Sequence, residues 1–174
     1  MFLTHRSAFV LLKLFETPDA AKYLSGAILD PETLLQKSSV TGEFFPSTLS
    51  SLGIIPGVKP HLKVYALPGT RGDTVMQGLD SLALRLAEYY SAGARFTKWR
   101  APFEIDVSLG RPTRFSIEAN MRDLARFALI SQAEGLVPIV EPDVVLTGDH
   151  DLAVAVAVNT EIASVLYHSM LEQV

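Results

Sequence analysis

The 174-residue sequence contains no cysteine. Disulfides, thiolate zinc sites and a cysteine nucleophile are therefore excluded. Charge is sparse: 20% of residues are Asp, Glu, Lys or Arg, and 15 basic against 19 acidic residues leave a net charge of −4. With no basic excess to neutralise phosphate backbones, nucleic acid is not an expected partner. The four histidines, at 5, 61, 150 and 168, are scattered rather than spaced as ligands, so no metal site is expected. His150, between Asp149 and Asp151, reads as a surface loop residue. Long apolar runs are missing too. The run at residues 8–12 is interrupted by Lys13, and no other segment approaches the roughly 20 apolar residues of a membrane helix, so no membrane role is expected. Residues 1–21 are read as an amphipathic N-terminal helix, with a weak organellar presequence as the other option. The loop at residues 68–74 matches neither a Walker pattern nor a dinucleotide fingerprint.

What is present is apolar content, 48% of the chain, enough for one domain with a sizeable core. Strands and helices alternate along it. Residues 26–29 are a short apolar run read as a buried strand. Phe45 and Pro46 open a helix that Gly53 stops, and residues 54–59 follow as a second strand. Leu79, Leu82, Leu86 and Tyr89 recur at helical spacing up to Gly93. Residues 94–100 form a third strand and 106–112 a loop. Ser116 is read as the cap of a helix presenting Ile117, Met121, Leu124 and Ala128, stopped by Gly135. Residues 136–140 are a fourth strand, apolar on both faces as in a sheet covered by helices. The segment from 152 onward alternates like a strand at first, but Ile162, Val165, Leu166 and Met170 favour a long helix, and Asp149 and Asp151 suit its start. Four strand–helix repeats predict an α/β fold with a parallel sheet.

Each strand ends in charge: Asp30 and Glu32, Lys59, then Lys98 and Arg100, then Glu141 and Asp143. C-terminal strand ends line the sites of barrels and of open α/β sheets alike. An amine beside a carboxylate suits carbonyl chemistry, and Arg100 with Lys59 suits a phosphate. Glu141 and Asp143 would share a face if their strand persists. Lys98 with Glu141 equally fits a structural salt bridge, Lys59 a solvated lysine, and Trp99 a packing residue.

These strand ends carry a resemblance. Phe96-Thr97-Lys98-Trp99-Arg100 resembles the Phe-Ala-Lys-Trp-Arg motif of class I fructose-1,6-bisphosphate aldolases. The run from Gly135 through Val140 to Glu141-Pro142-Asp143 resembles their Gly-Leu/Ile-Val-Pro-Ile-Val-Glu-Pro-Glu, and Gly148-Asp149-His150-Asp151-Leu152 continues it. Leu24 to Leu29, Ile55-Pro56-Gly57-Val58-Lys59, Gln77-Gly78-Leu79-Asp80 and Leu124-Ala125-Arg126 fit in order. The resemblance implies a glycolytic lyase that cleaves fructose 1,6-bisphosphate reversibly through a Schiff base, in the cytoplasm or an organelle, without metal or cofactor. It implies Glu141 as general acid and base, Lys98 as its partner in carbinolamine chemistry, and Asp143 supporting proton transfer one methylene shorter than the family's glutamate. Lys59 and Arg100 correspond to residues that hold the phosphorylated sugar.

The departures are equally specific. No Lys-Pro-Asn or Lys-Pro-Ser, where the family forms its imine, occurs in the 174 residues. The Ala-Ala-Asp-Glu-Ser motif is absent, and Pro60-His61-Leu62-Lys63 replaces Val-Asp-Lys-Gly after Lys59. A complete eight-stranded barrel needs about 250 residues. The expectation is thus one truncated (β/α)8 barrel domain over residues 1–174, with about four βα units, open edges and an uncovered interior. It would be inactive alone, and would form a homo-oligomer or associate with a full-length aldolase. A self-completing barrel that uses Lys98 for the imine ranks below these.

Overall fold

The computed structural model describes residue 17, residues 19–38 and residues 42–173. The expected N-terminal helix lies outside them, apart from a 3-10 turn at Ala20–Lys22. Four parallel strands form one sheet: β1 (Gly26–Leu29), β2 (Ile55–Val58), β5 (Phe96–Phe103) and β6 (Val137–Val144), in the order β1-β2-β5-β6. Every neighbour in that order is parallel. Strands that follow one another in space as in sequence trace an arc of a barrel, and among the described residues β1 and β6 are its unpaired edges.

The helices follow from local signals. Helix α1 is a single turn at Pro31–Leu34, unforeseen in the sequence. Helix α2 (Phe45–Ser51) carries proline in its first turn, where no N–H is needed. Helix α3 (Leu82–Ser91) buries Leu82, Leu86 and Tyr89, and begins after Leu79, which packs on the core from the preceding loop. Helix α4 (Arg114–Ala133) buries Ile117, Met121, Leu124 and Ala128 as expected. Its cap, however, is Thr113, not Ser116: Thr113 Oγ1 accepts from the Ser116 N–H at 3.2 Å. The buried Asp73 explains the choice. Its Oδ2 accepts from the Thr113 N–H at 3.0 Å and from the hydroxyl at 2.5 Å, fixing that residue at the helix mouth.

Helix α5 (Leu152–Leu171) is capped by Asp151, whose Oδ1 accepts from the Val154 N–H at 2.9 Å. Against expectation, it is long and apolar enough to cross a membrane by length and composition. Glu161 in its middle is ion-paired to Arg114 of α4 at 3.0 Å, and Ile162, Val165 and Leu166 pack into the core. A second unforeseen feature is the antiparallel pair β3 (Val64–Ala66) and β4 (Thr74–Met76) between β2 and α3. Asn120 of α4 stands in for a further strand beside β4. Its Nδ2 donates to the Thr74 carbonyl at 2.9 Å, and its Oδ1 accepts from the Met76 N–H at 3.3 Å.

The core lies between the sheet and the helices. On β5 the residues Thr97, Trp99, Ala101 and Phe103 face it, each no more than 2% exposed. Trp99 is a packing residue, tilted against Phe127 of α4 with ring centroids 5.2 Å apart. The Thr97 hydroxyl donates to Ser131 at 2.9 Å, so both buried hydroxyls are satisfied. Among the described residues the opposite face has no such cover. Ile28, Ile55, Val137 and Ile139 are exposed, which corrects the reading of β1 as buried and of β6 as covered on both faces. Gly57 admits Phe96 across this face: a Cβ there would collide with the phenyl ring.

Candidate active site

Side chains alternate along a strand, so Phe96, Lys98, Arg100 and Pro102 stand on the uncovered face of β5. The register puts Lys98 beside Ile139 and Arg100 beside Glu141. The uncovered face therefore divides in two. Toward the N-terminal strand ends it is apolar, with Ile28, Ile55, Phe96, Val137 and Ile139. Toward the C-terminal ends it is charged.

Three ion pairs fill the charged half. Lys98 pairs with Glu141 of the next strand. Arg100 binds Asp143, its Nε at 2.6 Å and Nη2 at 2.5 Å from one carboxylate oxygen. Lys59, just after β2, lies 2.9 Å from Asp30, just after β1. The first two pairs are diagonal, each cation reaching two residues beyond its register partner. Strands β5 and β6 both run past the expected ends, to Phe103 and Val144. Arg100, Glu141 and Asp143 thus sit within strands rather than on loops, and Glu141 and Asp143 do share a face. The side chains of Lys59 and Arg100 are 42% and 41% exposed. Ion pairs this accessible contribute about 0–1 kcal/mol each, so an incoming anion competes for the cations at little cost to the fold.

All five residues singled out in the sequence are brought together. Two others join them. Asp30 was read only as a strand end, yet it partners Lys59. His61 follows Lys59 by two residues, and its ring packs against Trp99, with centroids 6.0 Å apart. Burial, reinforced by Lys59, Lys98 and Arg100 and opposed by Asp30, lowers its pKa from 6.5 to about 4. His150 is half-buried beside Ile105, not on the open surface, with Nδ1 enclosed and unpartnered. A separate cleft of about 530 Å³ between α4 and α5, lined by Arg114, Arg122, Glu161 and His168 among others, includes none of the strand-end charges. Among the described residues no group of three or more His, Asp or Glu is arranged to hold a metal ion.

The glycolytic family model for class-I fructose-bisphosphate aldolase matches residues 4–174. The chain belongs to the class I fructose-bisphosphate aldolase family. It is 45% identical over 160 residues to fructose-bisphosphate aldolase, cytoplasmic isozyme 1, of Pisum sativum, which covers 92% of this chain and 44% of that protein. It is 46% identical over 157 residues to the cytosolic fructose-bisphosphate aldolase 5 of Arabidopsis thaliana, covering 90% of this chain and 43% of the relative. Its fold matches the solved fructose-bisphosphate aldolase of Plasmodium falciparum, in complex with TRAP and a small-molecule inhibitor, with a TM-score of 0.93 and 40% identity. That match covers 97% of this chain and 48% of the other. The aldolase chain therefore spans less than half the length of these relatives, and the open arc of four strands is the part of the aldolase barrel it contains.

Proposed function

We propose that the charged half of the uncovered face is the phosphorylated-sugar site of a class I aldolase, acting on fructose 1,6-bisphosphate. The observation that supports this reading is the alignment of Lys59, Lys98 and Arg100 on one open face, each held by one carboxylate. Arg100 offers a planar fork and Lys59 a point charge to an anionic substrate. Lys98 and Glu141 form an ion pair. Glu141 receives a proton from one reacting group and returns it to another, while the neighbouring ammonium stabilises negative charge developing on a carbonyl or hydroxyl oxygen. Asp143 orients Arg100 and supports these proton transfers through the charge it holds beside Glu141. In the family these steps reversibly cleave fructose 1,6-bisphosphate into dihydroxyacetone phosphate and glyceraldehyde 3-phosphate, through an imine on a lysine.

The 174-residue chain by itself binds the sugar phosphate and does not cleave it, because it contains no Lys-Pro-Asn or Lys-Pro-Ser to form that imine. A coupled cleavage assay, with borohydride added to a parallel sample, tests this. The expected result is no turnover and no covalent adduct. A borohydride-stable adduct on this chain, above all on Lys98, would overturn it. The cytoplasmic names of the two plant relatives support a cytoplasmic setting for this chain.

A second reading rests on the apolar half of the same face. Val137 is 65% exposed and Ile55 51%, beside two strand edges unpaired among the described residues. Such a surface favours a non-catalytic half-barrel that associates with its own copies or with a full-length aldolase. Light scattering after gel filtration should give a mass above 19.0 kDa, and Val137→Lys should return it toward the monomer. A wild-type monomer at all concentrations would remove this reading.

A further inference from the structure

Backbone bonds on both sides set Asp30 beside Lys59. Leu29 and Val58 are register partners at the ends of β1 and β2, and both are buried in the core. The residue after each therefore turns to the uncovered face: Asp30 beyond β1 and Lys59 beyond β2. The Lys59 N–H donates to the Leu29 carbonyl at 3.1 Å, and the Asp30 carbonyl accepts from the Leu34 N–H at 2.9 Å. With both backbones tied down, Asp30 Oδ1 lies 2.9 Å from Lys59 Nζ.

This carboxylate has no local duty. Asp30 precedes α1, where an aspartate ordinarily accepts from an N–H of the first turn, but its side chain makes no such bond. Among the described residues its one ion pair is with Lys59. A phosphate oxygen within hydrogen-bond reach of the same Nζ would stand no more than about 6 Å from Asp30 Oδ1. Both groups are negative, and on an open face like charges this close repel appreciably at low ionic strength. They also draw on one compact ammonium. The charged half as a whole offers no surplus to offset this, since its three cations are matched by three carboxylates.

We propose that Asp30 limits the affinity of this site: its carboxylate competes with the phosphate of the incoming sugar for Lys59. The proposal rests on the reading of the site as one for a phosphorylated sugar. The side chains of Lys59 and Asp30 are 42% and 44% exposed, so the lysine can turn from the carboxylate to the phosphate without opening the core. Neutralising Asp30 therefore tightens binding, whereas neutralising Lys59 weakens it.

Calorimetric titration of the 174-residue chain with fructose 1,6-bisphosphate tests this. Asp30→Asn keeps the shape and suits the residue before a helix, but removes the charge. At an ionic strength of about 0.01 M it should lower the Kd roughly fivefold, and at about 1 M salt the difference should shrink below about twofold. Asp30→Ser, a second neutral residue suited to that position, should act in the same direction. Glu118→Gln removes the same charge from the helical layer, where Glu118 pairs with Arg114, and should leave the Kd unchanged. A Kd not lowered by either Asp30 variant, or lowered as much by Glu118→Gln, would overturn the proposal. Lys59→Met separates the two claims. If it weakens binding while the Asp30 variants do not tighten it, the site reading stands and the role of Asp30 falls. If Lys59→Met leaves the Kd unchanged, or neither the native chain nor Asp30→Asn binds, the site reading falls and takes the proposal with it. Thermal melts check that each variant is folded.

Discussion

The two faces of one sheet behave as if they belonged to different proteins. On the helical side, Thr97, Trp99, Ala101 and Phe103 are sealed by α4 and its neighbours. On the other side the same strands present bare Ile55, Val137 and Ile139 at one end and three ion pairs at the other. Adjacent residues of β5 thus differ completely in environment, because a strand turns successive side chains to opposite faces. The difference teaches that, among the described residues, the fold of this arc is carried by its helical layer, and the other face contributes little to holding it together.

Four experiments press on that contrast. The largest effect is expected at Trp99, fully buried against Phe127. Trp99→Ala should cost about 3–5 kcal/mol in urea unfolding, whereas Val137→Ala on the open face should stay within about 0.5 kcal/mol. Comparable losses at the two positions would end the distinction between the faces. Next comes Asp73, whose carboxylate holds Thr113 through two hydrogen bonds. Asp73→Ala should cost about 1–3 kcal/mol by the same measurement, because it leaves the mouth of α4 without its anchor. An unchanged urea midpoint would show that the cap holds by itself.

The third experiment sharpens the charged end. Unfolded, His61 takes up a proton near 6.5, while the folded chain does so only near 4. Between these values the unfolded state binds more protons, so stability rises with pH across that window and is lost as pH falls through it. His61→Phe should flatten that part of the stability profile relative to the native chain. Identical slopes in the two proteins would show that His61 protonates alike in both states. The smallest effect belongs to the ion pairs. Arg100→Met should change stability by no more than about 1 kcal/mol, because the pair it breaks with Asp143 is substantially exposed. A loss of several kcal/mol would mean that the pair is structural and that the uncovered face helps hold the fold together.

Much of this was legible in the residues. The 3.6-residue recurrence of Leu82, Leu86 and Tyr89, and of Ile117, Met121 and Leu124, placed two helices and their buried faces, since a helix can bury only one stripe. The motifs around Lys98, Arg100, Glu141 and Asp143 named the strand ends where charge gathers. Local pattern did not reveal β3 and β4. Three-residue strands carry too short an alternation, and Asn120, more than forty residues away, completes their bonding. Nor did it choose Thr113 over Ser116, because the decision lies with Asp73 on a distant loop.

Sequence by itself thus determined the order of the four parallel strands and of the longer helices, the apolar stripes, the lack of cysteine in these 174 residues and the family. All of these depend on residue type and spacing along the chain. Tertiary structure alone decided which charges meet, that Lys59, Lys98 and Arg100 each take one carboxylate, and that burial against Trp99 lowers the pKa of His61. Those outcomes depend on strand register and on the close approach of Gly78 to His61, both of which join residues far apart in the chain.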